Sequence, residues 1–353
     1  MNDKLFVIAE AGVNHNGQLE LAMELVDRAA AAGADAVKFQ TFKAESLVTK
    51  SAQKAEYQAR AMAGDGDSGQ LGMLRKLELD HAAHVKIAAR CVERGIEFMS
   101  TPFDVESVTM LRDMGMQHFK VPSGEIDNPL LLRAMAKTGK PLIVSSGMST
   151  LSDVETALRI IASVIAKEHG PEPFFTDAGL AVLRERVTLL HCTTEYPAPP
   201  DSVNLRAMQT MAQAFGVPVG YSDHTEGAAI SCAAVAMGAT VIEKHFTTDR
   251  KLPGPDHAAS LEPDELVSFV RSLRAVHAAL GDGRKVPAAA EMPNRLVARR
   301  SVVAKTAIKK GDAYTADNLT LKRPGTGIPA SRFDEMMGRK ADRDYQPDDL
   351  IDR

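Results

Sequence analysis

The chain has 353 residues, 44% hydrophobic and 25% charged, with a formal net charge of −4 and three cysteines. That length calls for a large domain plus a small one, and the composition suits a globular chain with a sizeable core. The acidic balance argues against a nucleic-acid binder, and no apolar run reaches membrane-spanning length. Cys91, Cys192 and Cys232 lack paired spacing, which reads as reduced thiols. No basic segment followed by an apolar one opens the chain, so a cytoplasmic protein that meets no membrane is expected.

Eight short apolar runs are predicted as strands: Leu5–Ala11, Ala36–Phe42, Ile96–Pro102, Phe119–Pro122, Leu142–Ser145, Val187–Cys192, Val217–Tyr221 and Ala239–Phe246. Their near-continuous apolar character fits parallel strands covered on both faces. Between them lie helical stripes such as Val105, Val108, Leu111 and Met114, or Leu266, Phe269, Val270, Leu273, Val276 and Leu280. Eight strand-then-helix units predict an α/β fold, a (β/α)₈ TIM barrel over residues 1–283, with an open doubly wound sheet as runner-up. Two connections are long. Lys43–Leu71 lies on the strand-end side, where it reads equally as a substrate-covering loop or a surface excursion, and Ala166–Leu183 receives no function. A linker without strong periodicity follows (284–297), then a small, mostly β module (298–353) whose core is too small to stand without docking.

In a parallel barrel the chemistry belongs at the C-terminal ends of the strands. The segment from Tyr221 to Pro255 holds two such ends, Ser222-Asp223-His224 and Glu243-Lys244-His245. Either histidine alone reads as a hydrogen-bonded strand-end residue. On adjacent parallel strands the pair predicts two imidazoles converging with two or three carboxylates, which suits a divalent metal. The remaining ends divide by chemistry. Lys38, Lys120, Thr101, Ser123, Ser145 and Ser222 make a cationic, hydroxyl-rich cradle for an anion carrying phosphate and carboxylate. Glu10, Gln40, Glu125, Glu243, Asp256, His224 and His245 make an acidic half suited to a polyol with a carbonyl. Such a pairing is equipped for carbon–carbon bond formation. Strand-end hydroxyls can also simply cap helices and the lysines can be structural, and Gly12–Gly17 is too loosely spaced for a dinucleotide fingerprint.

The motifs IAEAGVNHNG, VKFQTFKAESL, STPFD, FKVPSGE, HCTTEYPAP, GYSDHT, IEKHFT and PGPDHAASLEPDEL together resemble the bacterial sialic acid (nonulosonic acid) synthases, which include N-acetylneuraminate and legionaminate synthases. The tail, with SVVA, IKKG and KRPG, resembles their antifreeze-like (SAF) domain. The likeness spans nearly the whole chain; it departs at Ala166–Leu183 and at Thr194, where some members carry Asn.

This resemblance implies condensation of phosphoenolpyruvate with the open-chain aldehyde of an N-acetylated hexose, N-acetylmannosamine, to give N-acetylneuraminate and phosphate. The alternative acceptor is 2,4-diacetamido-2,4,6-trideoxymannose, as in a legionaminate synthase. It further implies that His224 and His245 hold Mn²⁺, or another divalent ion such as Mg²⁺ or Co²⁺. Lys38, Thr101, Lys120, Ser123, Ser145 and Ser222 would grip phosphoenolpyruvate, and Glu125 would stabilise charge at its C2 and direct water there. Glu10, Gln40, Tyr196 and Asp256 would contact the sugar, with Glu243 near the metal. In a domain-swapped homodimer, Arg323 of one subunit would reach the N-acetyl group in the other. Two other classes compete: a Schiff-base pyruvate aldolase using Lys120 or Lys38, and a carbohydrate- or ice-binding protein built on the terminal module.

Overall fold

All eight expected strands form. A computed structural model, which describes residues 4–54, 69–166, 174 and 176–352, places them in one parallel sheet. They are β1 Phe6–Gly12, β2 Ala36–Thr41, β3 Glu97–Pro102, β4 Phe119–Val121, β5 Leu142–Ser145, β6 Val187–Cys192, β7 Val219–Asp223 and β8 Val241–His245. The principal helices that return the chain over the outside are α1 Leu19–Ala31, α2 His81–Arg94, α3 Val105–Asp113, α4 Pro129–Lys137, α5 Leu151–Ile165, α6 Arg206–Phe215, α7 Ala229–Ala236 and α8 Pro263–Ala279. Local chemistry sets their ends. Asp80 and Asp104 cap α2 and α3 through their carboxylates, Thr150 opens α5 with a reciprocal capping box, and Gly95 ends α2 in the left-handed region.

The sheet order runs β3-β2-β1-β8-β7-β6-β5-β4, and pairing of β1 with β8 curls it into the expected (β/α)₈ barrel. One seam lacks a backbone ladder among the described residues. It lies between β3 and β4, where β4 has only three residues and the Ser100 amide meets the Met116 sulfur at 3.2 Å.

Strand parity separates two environments. Ile8, Ala36, Met99, Ile143, Leu190 and Val241 point inward and form an apolar plug. Residues two places further along the same strands, Glu10, Lys38, Thr101, Ser145 and Glu243, keep that inward parity nearer the C-terminal ends. The larger core lies between the strands and the helix ring, and includes Leu25, Val26, Ile87, Leu111, Leu158 and Phe269. A satellite cluster joins Val13 and Phe42 to Ala44, Met73, Leu74 and Leu77. It seats the described ends of the 43–71 connection, helices Ala44–Leu47 and Gln70–Leu77. The middle of that connection, 55–68, lies outside the described residues, as do 167–173 and 175 of the second long connection, whose later part is the helix Asp177–Arg186.

The chain divides into two units, Met1–Leu280 and Gly281–Arg353. In the second, β9 Ser301–Ala304 and β10 Leu319–Lys322 pair antiparallel around a small core of Val302, Ile308, Tyr314, Leu319, Ile328 and Tyr345. Residues 284–297, expected as a linker without strong periodicity, contain most of a short exposed helix, Met292–Ala298, with Pro293 in its first turn. Among the described residues no helix is long and apolar enough to cross a membrane.

Candidate active site

Four buried charges cross the barrel mouth. Lys38 Nζ lies 2.8 Å from Glu10 Oε2 and 3.7 Å from Glu243 Oε2, and donates to Thr101 Oγ1 at 2.9 Å. From the opposite wall, Lys120 Nζ donates to Glu243 Oε1 at 3.0 Å, and Ser222 Oγ donates to the same oxygen at 3.1 Å. Glu243 is therefore shared by two ammonium groups. Burial alone would raise its pKa, but Lys120 and Lys38 outweigh burial and hold it below the ordinary carboxylate range. Glu10 has Lys38 as its one close ammonium, and burial, with the neighbouring Glu243 charge, outweighs it and carries Glu10 above that range. For Lys38, burial favours the neutral amine, yet the two carboxylates prevail and keep it charged.

Beside this ladder stand the two histidines. The ring of His224 lies 5.6 Å from that of His245, and Tyr196 packs 4.1 Å from His224 and 5.8 Å from His245. His224 Nδ1 meets the Thr193 carbonyl at 2.6 Å. A carbonyl only accepts, so Nδ1 carries the proton and Nε2 presents a lone pair. Burial lowers His224 to about 4, and burial, then His224 and Lys38, lower His245 well below the ordinary range. Both imidazoles are neutral at pH 7, and His245 Nδ1 is buried without a hydrogen-bond partner. Two neutral imidazoles, one with an orphaned nitrogen, fit a divalent ion.

The carboxylates of the mouth do not close a ligand cluster with the two imidazoles. Among the described residues no three His, Cys, Asp or Glu side chains could share an ion. The reason is parity: Asp223 sits between the inward residues Ser222 and His224 and faces the helix layer, while Glu243 is engaged by the lysines. Water and substrate oxygens would have to complete the coordination.

A Cβ at Gly12 (φ +52°) would come within 3.5 Å of His245, Asp256 and Gln40, so these three side chains surround one backbone position. Burial raises Asp256 to about 6. Ser145 Oγ is buried and unpartnered. Ser123 Oγ accepts from the Gly147 amide at 3.0 Å and lies 3.1 Å from Cys192 Sγ. Half-buried Glu125 follows β4 on a short turn and accepts from Asn128 Nδ2 at 2.7 Å; burial raises its pKa. No described hydrogen bond joins it to the ladder. Arg323 lies in the second unit, exposed, its Nε donating to the Ala298 carbonyl at 2.9 Å.

Two strand-end residues of the mouth have a role that the sequence does not reveal. Gly147 is one: a Cβ there would fall 2.4 Å from Thr194 Oγ1 and 2.7 Å from Ser123 Oγ, and the glycine at the end of a hydroxyl-rich strand was its only signal. Asn14 is the other, its Nδ2 donating to the Phe246 carbonyl and Ser260 Oγ at 2.8 and 3.0 Å.

Comparison with known proteins then fixes the kinship. Residues 25–285 match the NeuB family and residues 299–352 the SAF domain. The chain belongs to the NeuB family. It is 48% identical to the N,N'-diacetyllegionaminic acid synthase of Campylobacter jejuni, with 99% of each chain covered. It is 46% identical to the enzyme of that name from Legionella pneumophila, covering 95% of this chain and 90% of the relative. A crystal structure of an N-acetylneuraminic acid synthetase from Leptospira borgpetersenii, in complex with citrate, aligns with a TM-score of 0.67 and 34% identity over 82% of this chain and 90% of that one. The resemblance drawn from the strand-end motifs holds, and with it membership among the nonulosonic acid synthases.

Proposed function

We propose that the protein condenses phosphoenolpyruvate with the open-chain form of 2,4-diacetamido-2,4,6-trideoxymannose, giving N,N'-diacetyllegionaminic acid and phosphate. The observation that carries the reaction class is the buried Lys38–Glu10–Glu243–Lys120 ladder beside two neutral imidazoles. The acceptor rests on the two relatives of that name, at 48% and 46% identity. N-acetylmannosamine is the second reading, favoured by the structural likeness to the Leptospira N-acetylneuraminic acid synthetase.

Lys38 and Lys120, with the hydroxyls of Thr101, Ser123, Ser145 and Ser222, bind the phosphate and carboxylate of phosphoenolpyruvate. Gln40, Tyr196 and Asp256 line the acceptor. The enol C3 forms the new bond to the aldehyde carbon, and the aldehyde oxygen gains a proton. Glu125 faces the positive charge developing at C2 and directs water onto it. The tetrahedral carbon then expels phosphate by breaking its C2–O bond. His224 and His245 would hold a divalent ion, Mn²⁺ above all, which would supply Lewis-acid polarisation of the acceptor's carbonyl. A Schiff-base route needs a neutral amine, whereas Lys38 is held charged and Lys120 is paired with Glu243. The SAF unit is read as a cap over the partner's barrel in a domain-swapped homodimer, with Arg323 on the acceptor's N-acetyl group.

The test is phosphate release from phosphoenolpyruvate with each acceptor, in Mn²⁺. The diacetamido sugar is expected to exceed N-acetylmannosamine by about tenfold or more in kcat/KM, since a pocket shaped to one set of substituents discriminates on that scale. A reversed ratio assigns the second acceptor, and no phosphate with either rejects the reaction.

A further inference from the structure

Immediately behind the two imidazoles lies an ion pair that the proposed chemistry does not use. Asp223 and Lys244 are register partners on β7 and β8, and each is the residue just before a histidine. Their side chains face away from the mouth, beneath α7, and are 0% and 1% exposed, with Nζ 3.1 Å from Oδ2. Burying two charges gives up their hydration, and an apolar pair of equal volume generally stabilises a fold as well or better. Stability alone therefore does not account for this pair.

What it does locally is specific. Asp223 accepts from the amide and the hydroxyl of Thr225 at 2.8 and 2.7 Å, closing a tight turn around His224. Lys244 Nζ donates to the carbonyl of that same Thr225. The residue following His224 is thus held at its nitrogen, its hydroxyl and its carbonyl oxygen by one ion pair. Ser231 Oγ, from α7, donates to Asp223 at 2.6 Å and ties the turn to the helix. On the other side, the His224 carbonyl accepts from the Ala198 amide at 2.8 Å, and Thr193 fixes the ring. The strand of His245 is drawn into the same network through Lys244.

We propose that Asp223 and Lys244 are positioning residues whose buried pair locks β7 against β8 and so sets the spacing and aim of His224 and His245. This rests on the reading of those histidines as metal ligands. Residues behind the direct ligands typically change metal affinity 10- to 100-fold when mutated.

The experiment measures Mn²⁺ binding by the full-length protein in the absence of substrates, by the electron paramagnetic resonance of the free ion. Phosphoenolpyruvate affinity is measured separately by calorimetry in chelator. The double variant Asp223→Asn with Lys244→Met leaves no unpaired charge. It is expected to bind Mn²⁺ about 10- to 100-fold more weakly, with phosphoenolpyruvate affinity changed less than about twofold. Thr225→Val, which deletes one hydroxyl and no charge, is a milder second variant expected to weaken Mn²⁺ about threefold or more. Lys244→Arg, which keeps the charge, is expected to retain tighter Mn²⁺ binding than the double variant. Mn²⁺ affinity equal to wild type in both the double variant and Thr225→Val would overturn the positioning role while leaving the metal reading intact. A parallel loss of phosphoenolpyruvate affinity would also overturn it, by showing a general structural defect. Failure of the wild-type protein to bind Mn²⁺ would overturn the metal reading, and this one with it.

Discussion

His15 follows β1, fully buried, with its Nδ1 accepting from the Gly17 amide at 3.0 Å and its Nε2 unpartnered. Burial, then the nearby His84 and His257, lower its pKa from the ordinary value of 6.5 to about 3. The unfolded chain takes up a proton here below about pH 6.5, whereas the native chain does not until about pH 3. Native stability from this group is therefore lost as the pH falls through that window, by about 1.4 kcal/mol per unit. Asn can supply the same acceptor to Gly17 without titrating. Between pH 6 and 4.5, urea unfolding of His15→Asn should show a shallower loss of stability than wild type by about that slope. Equal slopes would mean that the native imidazole is protonated in this range.

The loop after β5 shows what one missing side chain allows. Gly147 brings its backbone against Ser123, Cys192 and Thr194 at distances no Cβ tolerates, and its amide is spent on Ser123. Gly147→Ala should push these hydroxyls apart and raise the KM for phosphoenolpyruvate about tenfold or more while leaving the acceptor KM nearly unchanged; that size follows from misplacing preorganised donors. Initial-rate kinetics with each substrate varied in turn check it, and equal shifts in both KM values would take Gly147 out of the phosphate cradle.

At this same scale the sequence was most informative. Every apolar run became a strand within two residues of its expected bounds, because buried parallel strands need an unbroken apolar stretch. Lys38, Lys120 and Glu243 could be placed at strand ends but not paired, since pairing needs the register across the barrel. The misassignment of Asp223 has the same root: adjacent residues on a strand face opposite ways, and a run of letters does not say which face is inside.

The molecule as a whole consists of two units, each with its own core; the ladder and histidines belong to the first and Arg323 to the second. If the cap comes from a partner subunit, two defective chains can repair each other. On the proposed reading His245→Ala would lose a metal ligand and Arg323→Ala the acceptor contact, so each alone should be nearly inactive. Unfolded together and refolded as a mixture, they should regain activity, because some dimers pair an intact barrel with an intact arginine. Phosphate release from the mixture checks this, and a mixture no better than its components would reject the partner cap.

The barrel is laced by backbone ladders along seven of its eight strand boundaries, while at the eighth a thioether meets the Ser100 amide. Mechanically it is a rolled ribbon whose last edge is held by side chains, His118 Nδ1 against Glu97 Oε1 at 2.7 Å among them. Under heat or denaturant such a ribbon should part first at that edge, where no ladder must be broken. Because Lys120 rides on the short strand beside the opening, the first loosening would carry a charge away from Glu243 and disable the mouth while most of the wall still stood.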